Sequence, residues 1–124
     1  MASYTKTTPS SLADELVCVV SVGNQSENNI TGSTSGKLYL VEVDNTENSD
    51  LPIFLNIADA SSATAGTTVP DFRVNIPRGV KSTLLWSEGH EYSAGLCIWA
   101  STTSATSSPS GPDGNVIVKM LVTA

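Results

Sequence analysis

The sequence predicts an all-β fold: a single-domain β-sandwich, or jelly-roll-like domain, of seven or eight short antiparallel strands. Three observations support this. The apolar residues form short runs rich in Val, Ile, Leu and aromatic residues, which suit a pleated surface, and no run has a helical period. Pro, Gly, Asn and Asp punctuate the runs at the short intervals typical of sandwiches. Ser and Thr make up about a quarter of the chain, and they compete with the helical backbone for hydrogen bonds.

Seven runs carry the strand pattern. They are residues 15–22, 37–43, 51–58, 69–77, 80–86, 92–101 and 115–122. Residues 29–31 are a candidate for a short eighth strand at a sheet edge. A polar turn separates 37–43 from 51–58, which predicts a hairpin between those two strands. Residues 87–91 contain Gly and polar side chains, so they are expected to turn before the longest strand, at 92–101.

The chain has 124 residues, which fits one domain with a single core. Residues 1–12 are polar and broken by Pro9, so they are predicted to form a flexible N-terminal arm, leaving 13–124 as the sandwich domain. An immunoglobulin-type sandwich is disfavoured, because neither Trp86 nor Trp99 has the required place midway between two cysteines.

The charge balance argues against nucleic acid as a partner. The net charge is −6, and the densest group of cations is Arg73, Arg78 and Lys81. Nucleic-acid affinity depends on clustered cations that contact phosphates. These three residues are instead expected at solvated strand edges or in contacts with a protein partner.

The chain shows no targeting or membrane signal. The N-terminal residues lack the apolar segment of a signal peptide, and no run approaches the roughly 20 apolar residues of a membrane span. Synthesis in a reducing cytoplasm is therefore expected, with no membrane partner. Cys18 and Cys97 each lie in an apolar run, which predicts two free thiols in the core rather than a disulfide.

No group of residues predicts catalysis. His90 lies between two glutamates in a predicted turn, and although Ser87 and Ser93 are nearby, no nucleophile elbow accompanies them. Residues 44–50, DNTENSD, place oxygen-bearing side chains at alternate positions, but the sixth position of a calcium loop requires Gly and is Ser49 here. The segment is predicted to be an Asx-rich turn. The sequence thus predicts a protein that is not an enzyme and needs no cofactor or metal.

Several short motifs resemble those of a family of small bacteriophage virion proteins, over residues 37–103. The matching positions are VDN at 43–45, GTTVPD at 66–71, IP and G at 76–77 and 79, and GL, A and T at 95–96, 100 and 102. These motifs mark turns and strand ends and carry no catalytic group. The resemblance therefore bears more directly on fold than on role.

The resemblance implies a capsid decoration (cement) protein on the outer surface of a phage head. Such a protein would be a homotrimer that binds the major capsid protein and bridges neighbouring capsid subunits, after synthesis in the host bacterial cytoplasm. Charge and expected exposure then give the predicted interface residues, which are Tyr4, Lys6, Pro9, Arg73, Arg78 and Trp86.

One alternative within the same fold stays open. A tail- or fibre-associated module would bind a host surface glycan or protein through the long loops at 23–36 and 102–114, since loops on rigid sandwiches often carry recognition. Trp86, at a predicted strand end, is the best candidate for an exposed aromatic platform in such a module. A β-sandwich hydrolase is disfavoured by the lack of an assembled set of catalytic residues.

Overall fold

The described residues form two antiparallel sheets. A computed structural model describes residues 15–48, 51–103, 111–112 and 114–123. The strands are β1 (Glu15–Val19), β2 (Gly36–Asp44), β3 (Ile53–Asp59), β4 (Phe72–Ile76), β5 (Lys81–Tyr92), β6 (Leu96–Ser101) and β7 (Ile117–Thr123). One sheet has the order β1-β7-β2-β5 and the other the order β4-β3-β6. The all-β, two-layer prediction is confirmed. Within the described residues no helix is long and apolar enough to cross a membrane.

The core lies between the two sheets, and alternate residues of the central strands enter it, except in β2, where Tyr39 and Leu40 separate the buried Leu38 from the buried Val41. The fully buried side chains of the four-stranded sheet are Leu38, Val41, Val43, Val118, Met120 and Val122. The three-stranded sheet contributes Ile53, Leu55, Ile57, Leu96, Ile98 and Ala100. Such alternation is expected of a strand that turns one face to the core.

The predicted hairpin between residues 37–43 and 51–58 is wrong. β2 pairs with β5 and β7, whereas β3 pairs with β4 and β6 in the other sheet. The polar segment after β2 therefore carries the chain from one sheet to the other. Asn45 fixes this crossing, because its buried side-chain amide donates to the carbonyl oxygens of Leu51 at 3.4 Å and Pro77 at 3.1 Å.

The predicted turn at 87–91 is also wrong, because β5 continues through it to Tyr92. Gly89 adopts a left-handed backbone conformation with φ of 81°, and the β2–β5 register shifts between Leu38 and Leu40. The polar, Gly-containing segment forms an irregularity inside a long strand. The single strand predicted at 92–101 is therefore two elements: the end of β5 and the separate strand β6.

The connection between β3 and β4 covers the outer face of the three-stranded sheet. Cys97 and Trp99, which point away from the main core, are buried against Ala63 and Ala65 of this connection. The Cys97 thiol donates a hydrogen bond to the carbonyl oxygen of Ala60 at 3.1 Å. β6 is consequently buried on both of its faces.

The free edge of β6 is covered by residues 23–30. Glu27 forms an isolated antiparallel bridge with Ile98, and the Ile30 amide donates to the Leu96 carbonyl oxygen at 3.0 Å. The eighth strand predicted at 29–31 is therefore absent from the described residues. A shorter pairing centred on Glu27 takes its place.

The prediction of two core thiols is right for Cys97 and wrong for Cys18, which is exposed. Val17 and Val19 turn towards the core, so the alternation of β1 points Cys18 outward from the four-stranded sheet. An apolar run on an edge strand can thus be buried on one face only. Cys97 lies on the outer side of the other sheet, so the two free thiols are separated by both layers.

Candidate interaction face

Four leucines cross the outer face of the four-stranded sheet in register. Leu16 of β1 is paired with Leu121 of β7, Leu121 with Leu40 of β2, and Leu40 with Leu85 of β5. We call these four side chains the leucine row. Leu16 and Leu85, at its two ends, are 65% and 63% exposed, and Leu40 and Leu121 are half-buried between them. The row spans three strand spacings, about 14 Å.

An irregularity in β2 places Leu40 in this row. Leu38 faces the core, and in a regular strand Leu40 would face the same side. Tyr39 is an extra residue in the pairing with β7, because Leu38 pairs with Val122 and Leu40 with the adjacent Leu121. This β-bulge turns Leu40 outward and returns Val41 to the core.

Charged residues border the leucine row on one side. In the next register row, Lys119 of β7 is paired with Glu42 of β2, between Cys18 of β1 and Thr83 of β5. An apolar strip bordered by charges of both signs is the pattern of a protein interface, with an apolar centre and a polar rim. Large leucines in register are otherwise unfavourable on the outer face of a sheet.

Asp44 lies one register row further out. Its carboxylate faces Lys81 at 3.9 Å and accepts hydrogen bonds from the Thr46 hydroxyl and backbone amide. The Thr46 hydrogen bonds, with a smaller contribution from Lys81, lower the pKa of Asp44. The Asx-rich turn predicted here is confirmed at Asp44. Asn48 is committed to the fold, since its side chain accepts from the Gly114 amide at 2.7 Å, and Asp50 lies outside the described residues.

The structure does not bring Arg73, Arg78 and Trp86 together. Arg73 is half-buried on the three-stranded sheet, where its Nε donates to the side-chain oxygen of Asn56 at 2.8 Å. Arg78 is exposed in the turn between β4 and β5. Trp86 is half-buried and packs on Phe72, with 5.5 Å between ring centroids, so it is not an exposed platform. The other predicted interface residues, Tyr4, Lys6 and Pro9, lie in the arm at 1–12, outside the described residues.

His90 lies within β5 and not in a solvated turn. It is half-buried, and its ring meets Phe72 edge-on with 4.6 Å between centroids. No group of three His, Cys, Asp or Glu side chains among the described residues could hold a metal ion. The packing of His90 against an aromatic ring gives it a structural role.

A cleft of about 740 Å³ lies where β2 begins and β5 ends, beside Lys37, Tyr39 and Glu91. Its floor is occupied by fold contacts, since the Tyr92 hydroxyl donates to the carbonyl oxygen of Thr123 at 3.1 Å. The cleft is open to solvent, and no metal-binding group lies in it among the described residues. The leucine row is therefore the stronger candidate for a functional surface.

Comparisons with protein-family models, curated proteins and solved structures found no match. The features that bear on function are therefore the leucine row and the motif resemblance. Sequence reasoning missed the row because its members lie on four strands that are distant in sequence. The available signal was local: Leu121 stands between Met120 and Val122, which face the core, and Leu16 precedes Val17, which also faces it.

Proposed function

We propose that this protein is a structural virion component, a phage capsid decoration (cement) protein that binds the outer head surface and bridges neighbouring capsid subunits. The observation that carries the proposal is the leucine row. A bare apolar strip with a charged border acts by being covered by another protein subunit. In a particle built of repeated subunits, such a strip has partners at every equivalent position.

The size of the leucine row fits many weak contacts better than one strong contact. Burying a leucine side chain stabilises a complex by about 1.5–3 kcal/mol, so the exposed parts of Leu16 and Leu85 contribute roughly 3 kcal/mol together. Association of two proteins costs about 4 kcal/mol or more. A single copy therefore binds weakly, and repetition over a symmetric shell supplies the remaining affinity through avidity.

The motif resemblance adds support through positions that shape the fold. Asp71 accepts a hydrogen bond from the Asp59 amide, at the end of the connection that covers the three-stranded sheet. Gly79 and Gly95 adopt left-handed conformations, with φ of 70° and 132°, in the turns that precede β5 and β6. The shared motifs thus mark places where the backbone itself is constrained.

The tail- or fibre-associated alternative would use the loops at 23–36 and 102–114 for recognition. Residues 23–30 are bonded to the edge of β6, so much of the first loop belongs to the sheet. The amide of Ala100, for example, donates to the Gly23 carbonyl oxygen at 2.7 Å. This pairing leaves the leucine row as the better-supported surface, and we favour decoration.

Quantitative mass spectrometry of purified particles tests the proposal. A decoration protein is expected at hundreds of copies per particle, and heads that lack it are expected to be more fragile to heat and low salt. A few copies per particle would contradict decoration and favour the tail module.

Add-back of purified protein to deficient heads tests the surface. Leu85→Ser is expected to bind and protect heads less well than wild type. Val69→Ser is the matched control, because Val69 is 74% exposed but lies in the connection over the other sheet. Equal protection by wild type and both variants would remove the leucine row from the proposal.

A further inference from the structure

We infer that the subunit seated on the leucine row is a second copy of this chain, related by a two-fold axis that runs along the strands between β7 and β2. The inference rests on the proposed use of this face as an interface between subunits. It assigns the leucine row to a second copy, so that the capsid is contacted by the remaining surface of the pair. Its basis is that the face is self-complementary in the placement of its apolar and charged residues.

The two-fold axis places the leucine row of one copy opposite the leucine row of the other. It lays β7 of one copy over β2 of the other, and β1 over β5, because it exchanges positions across the centre of the sheet. Leu121 then faces the partner's Leu40, and Leu16 faces the partner's Leu85. Two facing sheets pack about 10 Å apart with strands within about 30° of parallel, so the central pair stays in register.

The same axis matches opposite charges. Lys119 and Glu42 occupy one register row on the two central strands, so Lys119 of each copy faces the partner's Glu42. Two reciprocal ion pairs result. Among the described residues the one ion pair joins Lys81 to Asp44. Lys119 and Glu42 lie side by side without an ion pair to each other, and Lys119 adds only the smallest contribution to the lowered pKa of Asp44. A different protein would need its own apolar row beside a matching pair of opposite charges to fit this face equally well.

The contact area predicts a weak, reversible pair. Four strands about 4.8 Å apart and about 24 Å long give a face of roughly 450 Å² per copy. Stable interfaces bury about 800 Å² per partner. Association in the micromolar range is therefore expected, and it would be strengthened where copies are concentrated on a shell. A pair also presents two copies of its remaining surface, which suits the bridging of neighbouring capsid subunits.

Sedimentation equilibrium of the full chain tests the pairing. The mass is expected to rise with concentration from 12.9 kDa towards twice that value. Leu85→Ser is expected to weaken association, whereas Val69→Ser, equally apolar to polar but away from the face, is not. Circular dichroism checks that each variant is folded. A monomer at all concentrations, or the trimer that the resemblance implies, would overturn the inference.

A charge exchange tests the geometry. In the pair, residue 119 of each copy faces residue 42 of the other, so this contact occurs two times. Lys119→Glu and Glu42→Lys each make both contacts repulsive, and each is expected to weaken association at least about tenfold. The double variant exchanges both charges and is expected to recover wild-type association. Arg78→Glu, in an exposed turn off the face, controls for net charge. A double variant no better than the single variants would refute this pairing.

The two proposals fail separately. If the purified chain stays monomeric or forms trimers but is abundant on heads, the pairing is wrong and decoration stands. If it pairs as described but is scarce in particles, decoration is wrong and the pairing stands.

Discussion

Replacing Asn56 by Ala is expected to destabilise the fold by about 3 kcal/mol, although Asn56 lies outside the main core. The side chain is 1% exposed, on the outer face of the three-stranded sheet. Its amide nitrogen donates to Ser101 Oγ at 3.2 Å and to the Trp99 carbonyl oxygen at 3.3 Å. Its oxygen accepts from Arg73 Nε at 2.8 Å. Asn56 therefore links all three strands of this sheet.

The magnitude follows from these contacts. The amide nitrogen has two hydrogens, so it supplies two neutral hydrogen bonds, worth about 1 kcal/mol each net. The bond from Arg73 is charge-assisted and worth about 1.5–3 kcal/mol when buried. Arg73 is half-buried and regains water after the substitution, which reduces this contribution to about 1 kcal/mol. The sum is about 3 kcal/mol.

Urea denaturation followed by circular dichroism measures the loss. Asn75→Ala is the matched control, because Asn75 lies on the neighbouring strand β4 but is exposed, and it is expected to change stability by less than about 0.5 kcal/mol. A double-mutant cycle with Arg73→Ala isolates the side-chain pair, for which about 1 kcal/mol of coupling is expected. If Asn56→Ala lowers the free energy of unfolding by no more than Asn75→Ala does, the stabilising role of the Asn56 hydrogen bonds is refuted.

Two further predictions concern the other sheet and the thiols. Because Thr46 lowers the pKa of Asp44 below its usual 3.8, the ionised carboxylate stabilises the fold above that pH. Thr46→Val is therefore expected to lower the free energy of unfolding at neutral pH. The difference from wild type should shrink as the pH falls through the lowered pKa of Asp44. A difference in the free energy of unfolding that stays the same at every pH in urea titrations would contradict this. A thiol reagent is expected to modify Cys18 in the native protein and Cys97 only after unfolding. Non-reducing mass spectrometry is expected to show no disulfide. Rapid labelling of both thiols in the native protein would contradict the burial of Cys97 under the connection after β3.

Local patterns predicted the strands well. The alternation in β6 was visible in the sequence, with Leu96, Ile98 and Ala100 on one side and Cys97 and Trp99 on the other, and the structure keeps that division. What the sequence did not show is that both sides are buried. The second cover comes from the connection after β3, whose small polar residues give no local sign of where they pack.

The pairing of strands was beyond local patterns. A polar turn looks alike whether the chain returns within one sheet or crosses to the other, and the buried side chain of Asn45 decides this through contacts with residues up to 32 positions away. The leucine row depends on the same kind of information. Leu16 and Leu121 meet only because β1 pairs with β7, and Leu40 joins them only through the bulge at Tyr39.

The unequal covering of the two sheets has an evolutionary consequence. On the three-stranded sheet, the connection after β3 makes outward-facing residues such as Trp99 part of the folded core, so substitutions there act on stability. On the four-stranded sheet, residues such as Leu85 and Lys119 are exposed, so their replacement is expected to alter the outer surface more than the stability of the fold. One side of the molecule is thus constrained by its own chain and, under the proposed function, the other by its partner subunits. Lineages can therefore diverge in partner while conserving the fold.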